Sequence, residues 1–132
     1  MTTVFVDTSA LYAVLDRDDS NHARAKAIWP KLLQDAVLVT HNYVLVEIAA
    51  LVQHRLGISA ARALARDIVP LLGVEWIDER RHLAAQEAVL TAGRKKLSLV
   101  DCASFQVMRE GSVSKVFCFD AHFKEQGFEV IP

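Results

Sequence analysis

Short apolar runs of strand length alternate along the chain with longer stretches whose apolar positions recur at helical spacing. Val4–Val6, Val37–Thr40, Val74–Ile77, Lys115–Phe119 and Phe128–Ile131 read as strands, being rich in β-branched and aromatic residues. Ala10–Asp16, His22–Leu33, Tyr43–Leu56, Ser59–Leu72, Arg80–Ala92 and Leu99–Glu110 read as helices, with Gly57 and Gly111 placed to close two of them. Strands separated by helices join through right-handed crossovers, which builds a mostly parallel sheet covered on both faces. The pattern therefore predicts a three-layer α/β/α fold around a central sheet of about five strands. No linker, repeat or low-complexity segment interrupts the pattern, so residues 1–132 are expected to form a single domain.

Composition narrows this picture. With 132 residues of which 52% are hydrophobic, the chain can bury one core and is too short for two. No apolar run approaches the ~18 residues of a membrane span, and the chain moves straight from Met1 into a strand, so a soluble cytoplasmic protein is expected. Cys102 and Cys118 stand in apolar stretches without the close spacing of zinc or redox pairs, and read as buried, reduced thiols. A net charge of −1 announces neither a nucleic-acid surface nor an acidic tail.

Four acids are harder to place. Asp7 and Asp120 each close an apolar run, and in an open parallel sheet the carboxyl ends of the strands border the ligand crevice. Each also has a plainer reading: Asp7, Thr8 or Ser9 can cap the following helix, and Asp120 can sit in a turn before Ala121-His122-Phe123. Glu47 interrupts an apolar helix and shares a face with Val44 and Leu51, which predicts that it points inward and needs a cation there. That cation is a metal, or an arginine such as Arg55 or Arg94. Asp101 completes a serine-x-x-acid pattern with Ser98 at a helix start while sharing a face with Phe105 and Met108. Four carboxylates spread over a fold that gathers its strand ends suit a hard divalent cation, magnesium or manganese, and through it a phosphodiester. Without these four, 15 basic residues face 12 acidic ones, a surface mildly attractive to a polyanion.

Other candidates are weaker. His22, His41, His54, His82 and His122 are dispersed and read as surface or partly buried residues, although His122 lies beside Asp120. Arg94, Lys95 and Lys96 either contact RNA phosphates or form a solvated helix end favoured by the helix dipole. Trp29 and Trp76 read as core or interface aromatics.

Val-Phe-Val-Asp-Thr-Ser-Ala at 4–10, His-Asn-Tyr-Val-Leu-Val-Glu at 41–47, Leu-Ser-Leu-Val-Asp-Cys at 97–102 and Phe-Asp-Ala-His-Phe at 119–123 together resemble the motifs of the PIN domain. More narrowly, they resemble the VapC-type toxin ribonucleases of bacterial toxin-antitoxin pairs. The resemblance spans the chain and implies an endoribonuclease in which Asp7, Glu47, Asp101 and Asp120 hold Mg2+ or Mn2+. Thr8, Ser9, Ser98 and His122 stand as supporting residues, with structured RNA such as tRNA or rRNA as substrate. It further implies a cognate VapB-type antitoxin, a homodimer, and a higher assembly with that antitoxin. A non-catalytic PIN-like module that binds RNA or protein is the alternative, and such modules often lose acids that this chain keeps. Haloacid-dehalogenase-like phosphatases also begin with a strand-end aspartate, but Asp7-Thr8-Ser9 lacks their second aspartate two positions on.

Overall fold

A computed structural model describes residues 1–132. Its sheet has five strands, all parallel: β1 (Thr2–Val6), β2 (Ala36–His41), β3 (Gly73–Glu75), β4 (Lys115–Phe117) and β5 (Glu129–Ile131), in the order β3-β2-β1-β4-β5. Around it run α1 (Thr8–Leu15), α2 (His22–Asp35), α3 (Asn42–Leu56), α4 (Ile58–Ala63), α5 (Glu79–Ala92), α6 (Leu99–Glu110) and α7 (Ala121–Glu125). From β1 the chain steps outward through β2 to β3, then returns across the sheet to β4 and β5. Right-handed crossovers in opposite directions place their helices on opposite faces.

The side chains bear this out. Val6 and Phe117 are register partners on β1 and β4, and Trp29 of α2 stacks on Phe117 at 6.2 Å. Phe5 points the other way and meets Phe123 of α7, which packs edge-on against Phe105 of α6. Because both faces are covered, Val4, Phe5 and Val6 are all buried, and the central strand is apolar without alternation. Cys102 and Cys118 are free and buried, as expected.

Four expectations need correction, each for a local reason. The helix expected over Ser59–Leu72 is broken into α4, a π-helical turn at Leu64–Ile68 and a 3-10 turn at Val69–Leu71. Pro70 supplies no N–H and crowds the residue before it, so the regular ladder cannot pass. Strand β4 stops at Phe117 rather than Phe119, because the Phe119 N–H donates to Ser9 Oγ at 2.9 Å instead of to a neighbouring strand. Strand β3 covers Gly73–Glu75 rather than reaching Ile77, whose N–H donates to Asn42 Oδ1 at 2.6 Å; Trp76 beyond it is exposed, so of its two readings, core or interface, the core is ruled out. Ala121–Glu125 is a helix and not merely a turn, capped by Asp120 and ended by Gly127 at φ 89°.

Candidate metal centre and active site

The strand order reverses between β1 and β4, and the crevice there receives the residues that leave both strands. Asp7 is the first of them. Its N–H extends the ladder by donating to Phe117 O at 3.1 Å, and its carboxylate caps α1 by accepting from the Ser9 N–H at 3.2 Å. The Ser9 hydroxyl donates to the same carboxylate oxygen at 2.7 Å and accepts from the Phe119 N–H, so one side chain ties the exit of β1 to the exit of β4. Asp120 lies one residue further along and accepts from the His122 N–H at 2.8 Å. Both aspartates therefore cap helices, Asp7 as its plainer reading held and Asp120 where only a turn was expected, and both remain in the crevice, since a carboxylate has lone pairs to spare.

Asp101 enters from α6. Its carboxylate accepts from the Ser98 N–H and its own N–H donates to Ser98 Oγ, both at 3.0 Å, forming a reciprocal capping box. Asp7, Glu47, Asp101 and Asp120 line one cavity of about 430 Å³ together with Thr8, Ser9, Leu51, Lys96 and Ser98. Glu47 departs from expectation: its side chain is exposed and stands at the rim. The buried stripe of α3 is Val44, Ile48 and Val52, and Glu47 falls one position off it. Neither arginine weighed as its partner is near, because Arg55 lies over the Tyr12 ring and Arg94 pairs with Glu125 at 3.1 Å. Of the basic run only Lys96 lines the cavity.

Asp101, Asp120 and His122 form the tightest donor group, each offering one atom within 4.8 Å of the others. His122 Nδ1 stands 3.3 Å from Asp101 Oδ2 and 4.0 Å from Asp120 Oδ1. Two buried polar atoms here lack any hydrogen-bond partner, His122 Nδ1 and Thr8 Oγ1. Buried polar atoms are normally satisfied, and orphans facing a cluster of carboxylates fit a hydrated divalent cation. The electrostatics agree. Burial pushes the Asp7 carboxyl up to about 6 against the pull of its Ser9 hydrogen bonds, and the charges of Asp120 and Asp101 push the same way.

His41 was expected to be a surface or partly buried histidine and is fully buried. Its Nδ1 accepts from the N–H groups of Tyr43 and Val44, both at 3.2 Å, and so caps α3, the helix that carries Glu47. Its Nε2 meets Ser104 Oγ of α6 at 2.8 Å, bracing the helix that carries Asp101. Nothing in the sequence spacing of 41 and 104 signals that link.

Comparison with known proteins points in one direction. The chain is 34% identical to the 23S rRNA-specific endonuclease VapC20 of Mycobacterium tuberculosis over 131 residues, covering 98% of each protein. The crystal structure of that protein, described as a sarcin-ricin loop cleaving toxin, superposes with a TM-score of 0.87 over 98% of this chain and 99% of the other. FitAcB of Neisseria gonorrhoeae has a TM-score of 0.69 at 19% identity, covering 98% of this chain and 96% of the other. VapBC2 of Rickettsia felis has a TM-score of 0.71 at 9% identity, covering 98% and 97%. These two share the fold. Residues 4–129 match the model of the PIN domain, and with the acids gathered where the strand order reverses, this chain belongs to the PIN-domain family.

Proposed function

We propose that this protein is a divalent-cation-dependent endoribonuclease, the toxin of a VapBC-type pair, which hydrolyses phosphodiester bonds in structured RNA. The observation that carries the reading is the convergence of Asp7, Glu47, Asp101 and Asp120 on one cavity that also holds an unpartnered Thr8 hydroxyl. The likeness to an rRNA endonuclease over nearly the whole chain supports rRNA as the substrate to try first. Magnesium or manganese, when bound, supplies Lewis acidity to the phosphoryl oxygens and acidifies the attacking water. Asp7, Asp101 and Asp120 would hold it by carboxylate oxygens, and the unpartnered Thr8 hydroxyl would be free to hydrogen-bond beside them. Glu47, solvated at the rim, binds or orients water. Lys96 draws the substrate phosphate toward an otherwise acidic cavity. A VapB-type antitoxin and a homodimer complete the reading.

The test is cleavage of purified ribosomal and total RNA by the full-length protein with magnesium, with manganese and with a chelator. Discrete fragments are expected only with metal, and Asp7→Asn or Asp101→Asn should lower the rate by 100-fold or more, on the order of the ~3 kcal/mol that a lost electrostatic group costs a transition state. RNA bound but left intact by the metal-loaded protein would turn the reading to a non-catalytic binding module.

A further inference from the structure

We infer that His122 is itself a ligand of the cation, through Nδ1, and that this nitrogen tilts the site toward manganese over magnesium. The inference deepens the proposed function and rests on it for the presence of a metal. Its ground is the placing of one atom. Nδ1 is buried, accepts and donates nothing within the protein, and stands 3.3 Å from Asp101 Oδ2 and 4.0 Å from Asp120 Oδ1. Donors bound side by side on an octahedral ion at ~2.1 Å lie roughly 3 Å apart, and opposed ones roughly 4 Å apart, so both separations suit a shared cation.

An ion pair with Asp101 is the competing account, but the atom has no hydrogen-bond geometry to either carboxylate. An independent orphan supports the metal: Thr8 is 7% exposed, its Oγ1 has no partner, and it lines the cavity that Asp101 and Asp120 share. The backbone places the residue that carries the ring, because the His122 N–H is held by Asp120 Oδ1 at 2.8 Å and opens α7. The same capping bond that orients Asp120 thus carries the imidazole to its carboxylate. Imidazole is a borderline donor; manganese, at the low end of the transition series, still accepts it more readily than magnesium, which takes oxygen ligands almost alone.

Pulsed EPR of the full-length protein loaded with Mn2+ reads this directly. Strong 14N modulation from a bound imidazole is expected in the wild type and not in His122→Asn, which places an amide oxygen or nitrogen near the position of Nδ1. Calorimetric titration should show the ratio of Mn2+ to Mg2+ affinity falling about 10-fold in His122→Asn, or about 1.4 kcal/mol. His122→Ala should show the same fall, and it guards against an amide that itself coordinates. Manganese bound by the wild type without 14N coupling, or an unchanged affinity ratio in both variants, overturns the inference and leaves His122 as an ion-pair partner. RNA cleavage in magnesium by that same wild-type protein would leave the proposed function standing. No binding of either ion would remove both.

Discussion

Asp7 and His41 are buried ionisable groups whose folded states favour the neutral form, and they act on stability with opposite sign. His41 accepts two N–H groups at Nδ1, while Ser104 Oγ donates to Val100 O at 2.8 Å. Nε2 must therefore carry the ring proton, and a second proton at Nδ1 would face two donors. Burial, with the charge of Arg81 added, pushes its pKa from 6.5 down to about 4. The folded state thus binds fewer protons than the unfolded one in that window, and stability present above pH 6.5 is lost as pH falls through about 4. Asp7 runs the other way: with its pKa raised from 3.8 to about 6, it favours folding at pH 4 and loses that contribution as pH rises through 6. Each displacement is worth about 3 kcal/mol, so in the metal-free wild type the two nearly offset one another between pH 6.5 and 4. Denaturant unfolding in chelator should show this. Asp7→Asn should be the more stable protein at pH 7 and should lose about 3 kcal/mol on acidification to pH 4. His41→Asn keeps a capping side chain and should gain stability over the same interval. Parallel pH profiles for all three proteins would refute both assignments.

Ser9 shows what an element boundary does for the site. Its hydroxyl joins the first residue of α1's cap to the residue at which β4 leaves the sheet, so the spacing of Asp7 and Asp120 depends on it. Ser9→Ala strands the Phe119 N–H and removes a bond that favours the ionised carboxylate. It should cost about 1–3 kcal/mol of stability and weaken cation binding at pH 7 more than at pH 8.5, because Asp7 then ionises less readily. Equal weakening at both pH values would confine Ser9 to a structural role. The same bond explains which features the sequence disclosed. The five strands and the long helices were legible because apolar period and length report burial, and β1 and α6 need nothing more. The ends of β3 and β4 were not, since Asn42 and Ser9 set them from a distance and periodicity carries no such information. Helix α7 is five residues long, too short for a period to register. The four acids were legible as a group because Asp7 and Asp120 at strand ends, Asp101 at a helix start and Glu47 interrupting an apolar helix are all local facts. The orientation of Glu47 was not, because Leu51 sits with it beside the cavity while the core takes Val44, Ile48 and Val52.

At the scale of the whole molecule, an apolar surface adjoins the acidic cavity. Tyr43, Val46, His82, Leu99 and Val100 line a hollow of about 400 Å³ whose edge is Glu47, a residue shared with the cavity of the acids. Val46 is 69% exposed there, and Leu83 and Leu90 on α5 are also exposed. An exposed apolar hollow of this kind marks an association site, and we propose that the second copy in the homodimer of the proposed function covers it. Val46→Glu tests this without disturbing the fold, since the side chain packs against little in the protomer. Sedimentation should find the wild type dimeric and the variant monomeric, with the dissociation constant raised 100-fold or more, about 2.7 kcal/mol for a carboxylate forced into an apolar interface. Every acid of the cavity comes from one chain, so the monomeric variant should keep its response to cation. Magnesium or manganese at 100 times the dissociation constant adds about 2.7 kcal/mol to the native state, which is a rise of several degrees in Tm for a domain of this size. A variant that stays dimeric would move the interface elsewhere. One that becomes monomeric and also loses its thermal response to metal would show that the apolar face and the metal centre are coupled through Glu47, the residue they share.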